Sequence, residues 1–339
     1  MRRTSARLLG RRWSSLIPLA AFVVAVVGFV SLPVFSDRPL ATYDLFNLFE
    51  AYAQIGLITL GFGLVVIAGE FDLSIVGIFA LSGVIAVQSG QQNPFLGVLL
   101  ALVIGSVFGA LQGLLIARFR IPSMPVTLAT YIALLGLTRV IGHNQPSVSF
   151  ENIDTTLWVQ EPVLQVFSPR SLVVLGLFAL TALVLGLTRW GRELRALGGD
   201  RKASRTSGVP VDRRLVALFA ASSALAVVGG SLAAFNTGAA ITDPGAAPLT
   251  LGAAGALIGG VALTGGRGSV VGIFAGTMSI VTLQQIFIVA GAEESFTDLA
   301  FGLVLLFFVA VNAPDARNGF VRLRARRRTP TTAAPKGRA

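Results

Sequence analysis

The chain has 339 residues, of which 54% are hydrophobic and only 13% charged, about half the charged share of a soluble globular domain. It contains no cysteine and one histidine, His143, which excludes a disulfide framework, a thiolate metal site and a histidine-based metal cluster. The formal charge of +11 does not point to nucleic acid, because Arg and Lys gather at the two ends and in one central loop, the pattern that orients a membrane protein.

The basic segment 1–15 precedes an apolar run, Leu16–Phe35, longer than the core of a cleaved signal peptide and not closed by a small-x-small site. It reads as an uncleaved first span. Further apolar runs follow at Leu45–Ala68, Leu73–Val87, Phe95–Ala117, Val126–Gly142, Leu172–Leu187, Leu215–Phe235, Leu249–Leu263, Val270–Ala290 and Leu299–Val311. A straight crossing needs about 20 residues. The third, eighth and tenth runs fall short, so they are expected to be tilted, broken or sheltered by neighbours. The expected fold is an all-α membrane protein with about ten transmembrane helices in residues 16–312. A basic tail, 313–339, is expected to be disordered and drawn to anionic membrane lipid.

With both ends placed in the cytoplasm, all but Arg38, Arg139 and Arg170 of the 27 Arg and Lys residues fall on the inner side. That asymmetry favours an even number of spans. The longest outer stretch, His143 to Arg170, is too short for a domain and is expected to form a partly ordered cap. Gly105, Gly109 and Gly113 recur every four residues, as do Gly268, Gly272 and Gly276. This spacing lets helix backbones approach closely where lipid gives no hydrophobic drive.

Polar residues are few and therefore informative. Glu70 and Asp72 join the second and third spans. Asp72 is expected to cap the third helix, and Glu70 to contact a partner or gate. Within the spans, Gln54, Gln112, Arg139, Asn236, Gln284 and Gln285 face either a water-filled path or other helices. The inner loop 189–214 reads as two short helices: Arg192, Glu193 and Arg195 in the first, stopped by Gly198-Gly199, then a second capped by Asp200 and ended at Gly208-Val209-Pro210. Composition alone leaves this loop either a force-receiving elbow or a solvated basic turn. No G-x-x-x-x-G-K-S/T phosphate loop occurs, so any ATP hydrolysis belongs to another chain.

Four segments carry a family resemblance. Gly69-Glu70-Phe71-Asp72-Leu73-Ser74 is similar to G-G/E-I-D-L-S, and the run from Ile121-Pro122 to Thr127-Leu128-Ala129-Thr130 to I-P-x-F-I-x-T-L-x-T. Gly191-Arg192-Glu193 with Ala196-Leu197-Gly198-Gly199-Asp200 and Ala203 to Val209 resembles G-R-x-x-x-A-I-G-G-N-x-x-A-A-x-x-S-G-I. Ile258-Gly259-Gly260, Gly265-Gly266-Arg267-Gly268-Ser269 and Gly272 resemble I-G-G-x-x-x-x-G-G-x-G-S-x-x-G. In order and at similar spacing, they resemble the permease subunits of binding-protein-dependent ABC importers of the ribose/arabinose/xylose class. The chain departs from that pattern at Leu249 to Gly255, where two acidic residues are common, and at Gln112, where Asn is common.

The resemblance implies a type II importer fold and a bacterial inner-membrane location, with a second permease copy or paralogue beside the chain. It also implies an extracytoplasmic solute-binding protein and separate ABC ATPase subunits that hold the ATP and magnesium, with no cofactor on this chain. It assigns Arg192, Glu193, Arg195, Gly198, Gly199, Asp200, Ser207 and Gly208 to ATPase coupling. Candidates for the translocation path or its gate are Glu70, Asp72, Gln112, Thr127, Asn236 and Gln284. A simple sugar is the expected cargo. A nucleoside or other small polar solute, or an ion-coupled secondary transporter, stands as the alternative.

Overall fold

The computed structural model describes residues 19–36 and 39–312. The expected tails, 1–15 and 313–339, lie outside the described residues. Helices α1 (19–30) and α2 (Leu32–Ser36) lead into α3 (Thr42–Ile67), α4 (Ile75–Gly90), α5 (Pro94–Phe119) and α6 (Ser123–Ile141). Strand β1 (Ser147–Ser149) and α7 (Ile153–Gln160) form the outer excursion before α8 (Pro169–Leu187). Two short helices, α9 (Arg189–Gly199) and α10 (Arg201–Thr206), precede α11 (Val211–Thr237) and β2 (Ala239–Ile241). The chain continues through α12 (Ala247–Ile258), α13 (Val270–Val289) and α14 (Glu294–Asn312).

Among the described residues, α3, α5, α6, α8, α11 and α13 are long and apolar enough to cross a membrane. Shorter apolar stretches occur at Leu19–Val34, in α4, in α12 and at Ser295–Ala310 within α14. Each falls on one of the expected runs. The eighth run breaks earlier than expected: α12 stops at Ile258, and Gly260 turns the chain with φ of 83°, a conformation that suits a residue without Cβ.

Helix starts follow local chemistry. The Asn93 side chain accepts from Leu96 N at the head of α5, with Pro94 in the first turn. Ser168 accepts from Ser171 N ahead of Pro169 in α8, and Ser269 accepts from Gly272 N in α13. Each satisfies an N–H that the helix itself cannot pair.

Helix α3 is the central post. It is buried without interruption from Ile55 to Ile67 and touches α4, α8, α11, α12 and α13. A helix that is apolar all round belongs in a core. By contrast, α5 turns Val103, Val107, Leu111 and Leu114 outward, the face expected to meet lipid. Its opposite face carries the glycine row against α11. A Cβ on Gly109 would collide with Ser223 and the Phe219 carbonyl, and one on Gly113 would come 2.9 Å from Val216 Cα. Gly272 and Gly276 do the same for α13 against α12, where their added Cβ atoms would strike the Gly259 and Gly255 carbonyls. Gly268 does not share that helix face: it sits before α13 with φ of 146°.

The outer excursion is more ordered than the sequence implied. β1 pairs antiparallel with β2, Val148 opposite Ala240, and Phe150 stacks on Phe235 with ring centroids 4.7 Å apart. Arg139 at the end of α6 meets Asp243 at 2.5 Å, so this arginine is paired and does not simply reach for the interface.

Candidate functional site

The four sequence segments lie far apart in the chain, yet three line one cleft at the helix ends beside loop 189–214, and the fourth packs against it and adds Thr264. The cleft, about 430 Å3, is lined by Gly69 to Phe71, Pro122 to Met124, Leu197 to Arg201 and Thr264. Backbone packing makes this convergence possible. Gly266 N donates to Ile67 O at 2.8 Å, and a Cβ at Gly198 would run into that same Ile67 carbonyl and come 2.5 Å from Gly266 N. The Phe71 N–H donates to Ser123 Oγ at 2.9 Å, and Thr127 Oγ1 donates to Phe71 O at 3.3 Å. Thr127 is therefore a buried fastener between the α3–α4 turn and α6.

On the loop side, Asp200 accepts from Lys202 N at 2.8 Å and Ala203 N at 3.0 Å. It caps α10 as its position predicted. Ser207 and Gly208 close α10, with Gly208 at φ of 83°. Glu193 pairs with Arg214 at 2.5 Å, which ties α9 to the start of α11. Leu194 and Leu197 bury the inner face of α9, while Arg192 and Arg195 stay exposed. Glu70 is buried and forms an ion pair with Arg201 of α10. Burial holds the Glu70 carboxyl above the usual carboxylate range, even with the Arg201 charge against it. Glu70 thus contacts the chain's own inner loop.

Asp72 differs from its expected role as a helix cap. Ser74 occupies the N-cap of α4. The Asp72 carboxylate accepts from Ser74 N at 3.0 Å and Ser74 Oγ at 2.6 Å, closing the preceding turn. Gln112 Nε2 of α5 reaches it at 3.3 Å and Ser222 Oγ of α11 at 3.5 Å. Asp72 is fully buried and Gln112 is 2% exposed. The two knit α4, α5 and α11 together and do not face a cavity.

A second site lies toward the opposite end. A cavity of about 300 Å3 is lined by α3, α4, α11, β2, Pro244, the start of α12, and α13. Its wall is mostly Ala, Ile, Pro and Phe79, and among the described residues its polar side chains are Gln54, Thr237, Gln284 and Gln285. Among the described residues, no charged side chain lines it. Of the six residues expected for a path or gate, only Gln284 reaches this wall. Glu70, Asp72, Gln112 and Thr127 lie in the inner polar packing, and Asn236 stands beside Thr237 just behind the wall.

Gln54 and Gln285 were visible as intramembrane amides, but nothing in their spacing marked them over the other polar residues. Behind the cavity, a buried cluster joins residues that the sequence shows only singly. Arg170, 3% exposed, meets Glu50 Oε2 at 3.2 Å and donates to Gln54 Oε1 at 3.1 Å. Glu50 and Gln54 are four residues apart on α3, a spacing that puts them on one face, whereas their arginine comes from α8.

Comparison with known proteins places these sites in context. The family described as branched-chain amino acid transport system / permease component matches residues 45–309. The fructose import permease protein of Bifidobacterium longum is 28% identical over 305 residues, covering 85% of this chain and 89% of that protein. The ribose import permease protein of Escherichia coli strain K12 is 26% identical over 319 residues, 91% of this chain and 98% of that one. The autoinducer 2 import system permease protein of Enterobacter sp. is 30% identical over 293 residues, 85% of this chain and 84% of that one. No solved structure matches the chain.

Proposed function

The chain belongs to the family of branched-chain amino acid transport system permease components, and from that premise we propose that it is the membrane subunit through which an ABC importer carries a simple sugar into the cell. The observation that carries the reading is the cavity wall: apolar side chains interrupted by three amides and a hydroxyl, with no charge among the described residues. A sugar presents C–H faces and neutral hydroxyl edges, so this wall can accompany it without binding it tightly. Affinity then resides in a solute-binding protein outside the membrane, and the drive resides in ATPases inside.

In this reading the chain crosses the bacterial inner membrane ten times in a type II arrangement, with both ends cytoplasmic. The charge asymmetry of the loops supports that orientation. A second permease copy or paralogue completes the path. ATPase subunits, which hold the ATP and magnesium, press on α9 and α10 through Arg192, Glu193, Arg195 and the Gly198 to Asp200 turn, with Ser207 and Gly208 at its far end. The Glu70–Arg201 pair then passes movement of α10 to the α3–α4 turn. Ion coupling receives no support from the cavity, since among the described residues no carboxylate lines it. As a second reading, the cargo is a nucleoside or other small polar solute, and one relative is named for autoinducer 2 import.

The test is extraction in mild detergent from the native membrane, mass spectrometry of what co-purifies, and uptake of radiolabelled D-ribose and D-fructose by cells with and without the gene. A stoichiometric P-loop ATPase and gene-dependent uptake of either sugar are expected. A solitary chain that moves a sugar in liposomes without ATP overturns the ABC reading. An ATPase partner with no uptake of either sugar overturns the sugar.

A further inference from the structure

Behind the cavity wall, the first half of α3 meets the start of α8 and the end of α11 around Arg170. Its guanidinium donates to Glu50 O at 2.6 Å, lies 3.2 Å from Glu50 Oε2, and donates to Gln54 Oε1 at 3.1 Å. The Asn236 amide sits 3.1 Å from Arg170 Nη1 and 3.2 Å from Glu50 Oε2. Ser168 Oγ donates to the other Glu50 oxygen. Arg170 and Ser168 are almost wholly buried.

The chemistry of the partners fixes each amide. A guanidinium only donates and a carboxylate only accepts. The Gln54 oxygen must therefore turn toward Arg170, and its Nε2 is left without a protein partner among the described residues. Gln54 is exposed and lines the cavity. The consequence is an N–H donor aimed into an apolar space by a charge whose own countercharge, Glu50, is one helical turn away. Asn236 is held in the same way, its oxygen toward Arg170 and its nitrogen toward Glu50. A buried ion pair is a poor source of stability compared with apolar packing, but a planar fork can hold several acceptors in one fixed arrangement.

We propose that Arg170, balanced by Glu50, is a positioning residue that presents Gln54 Nε2 to the cavity as a fixed donor for a hydroxyl or carbonyl oxygen of an uncharged solute. The assignment rests on the reading of this cavity as the transport path. It separates Gln54 from Gln284, which has no polar partner to orient it among the described residues, and from Gln285. Gln285 Nε2 is turned to Asn47 O at 3.4 Å, whereas the Gln54 nitrogen is kept free.

The test uses cells carrying the whole transporter and radiolabelled D-ribose and D-fructose as probes, with unfolding midpoints of the purified chain measured alongside. In Glu50→Gln/Arg170→Gln both charges are gone, so no ion is stranded, but the fork that orients Gln54 is lost. The midpoint is expected to stay near that of the wild type while KM for uptake rises about tenfold, the loss of one well-placed hydrogen bond. A merely structural role predicts wild-type KM whenever the midpoint is kept, and that result overturns the proposal. Should the double variant not fold, Gln54→Glu decides: it keeps an oxygen for Arg170 and removes the N–H, and an unchanged KM refutes the assignment. A structure of the double variant by cryo-electron microscopy needs no sugar. Gln54 leaving its wild-type place supports the positioning role, and Gln54 unmoved refutes it. If the wild type takes up neither sugar, the sugar reading falls, and this structural result alone decides the role of Arg170.

Discussion

Arg192 and Arg195 lie on the exposed side of α9 while Leu194 and Leu197 anchor its other side to the helix bundle. Arg195 touches only the Leu185 carbonyl, at 3.4 Å, and Arg192 has no polar partner among the described residues. Charges that fold independently of the bundle are available to another protein. The double reversal Arg192→Glu/Arg195→Glu is expected to change stability by no more than about 0.5 kcal/mol, the range for surface substitutions. Under the proposed coupling role, uptake should fall at least about tenfold, because two repulsive contacts would face an ATPase docked on α9. Unchanged uptake and unchanged ATPase stimulation in that variant would remove the coupling role from α9. Glu193 is a different kind of residue: its ion pair with Arg214 is internal to the chain, so its loss loosens the α9–α11 corner before it touches any partner.

At the level of elements, glycine spacing is a geometric statement that the structure makes specific. The α5 row meets α11 so closely that Gly109 has no room for a methyl group, whereas Gly136 in α6 has nothing within 4 Å of where its Cβ would stand. Gly109→Ala is expected to destabilise by about 1–3 kcal/mol through overpacking. Gly136→Ala should be neutral or stabilising by up to about 1 kcal/mol, since it only removes backbone freedom from a helix interior. Thermal unfolding in detergent compares the two, and equal midpoints would refute the close α5–α11 contact. The helices themselves were legible in advance because apolar length is a property of consecutive residues. The β1–β2 pair was not. Its strands are three residues each, too short to show alternation, and they are joined across the chain from Ser147–Ser149 to Ala239–Ile241. The polar packing around Asp72 was hidden for the same reason: its partners Gln112 and Ser222 are brought in by α5 and α11.

For the whole molecule, the cleft with its arginine-bearing helices follows the C-terminal end of the central α3, beside Glu70, while the cavity meets α3 near its middle, at Ala51, Gln54 and Ile55. That arrangement fits an importer only if the loop 189–214 is cytoplasmic. The absence of cysteine makes this directly measurable. Leu164→Cys, at a position 83% exposed on the outer excursion, should react with a membrane-impermeant maleimide in intact cells. Lys202→Cys, exposed on α10, should react only after the membrane is opened. The reverse pattern would invert the topology and with it the direction of transport.

The sequence by itself determined that this is a multi-span helical membrane protein, where its apolar helices lie, and which four segments tie it to a permease family. All of these are carried by local composition, spacing and order, which survive without knowing the fold. Only the tertiary structure decided which polar residues face a cavity and which merely bind helices together. It drew the family segments into and beside one cleft, sent Glu70 to Arg201 and Asp72 to Gln112, and left Gln284 and Gln54 on the cavity wall. The physical reason is that a buried polar group takes its role from partners delivered by other helices. Arg170, 120 residues from Glu50 along the chain, acquires its meaning only when α3 and α8 are packed side by side.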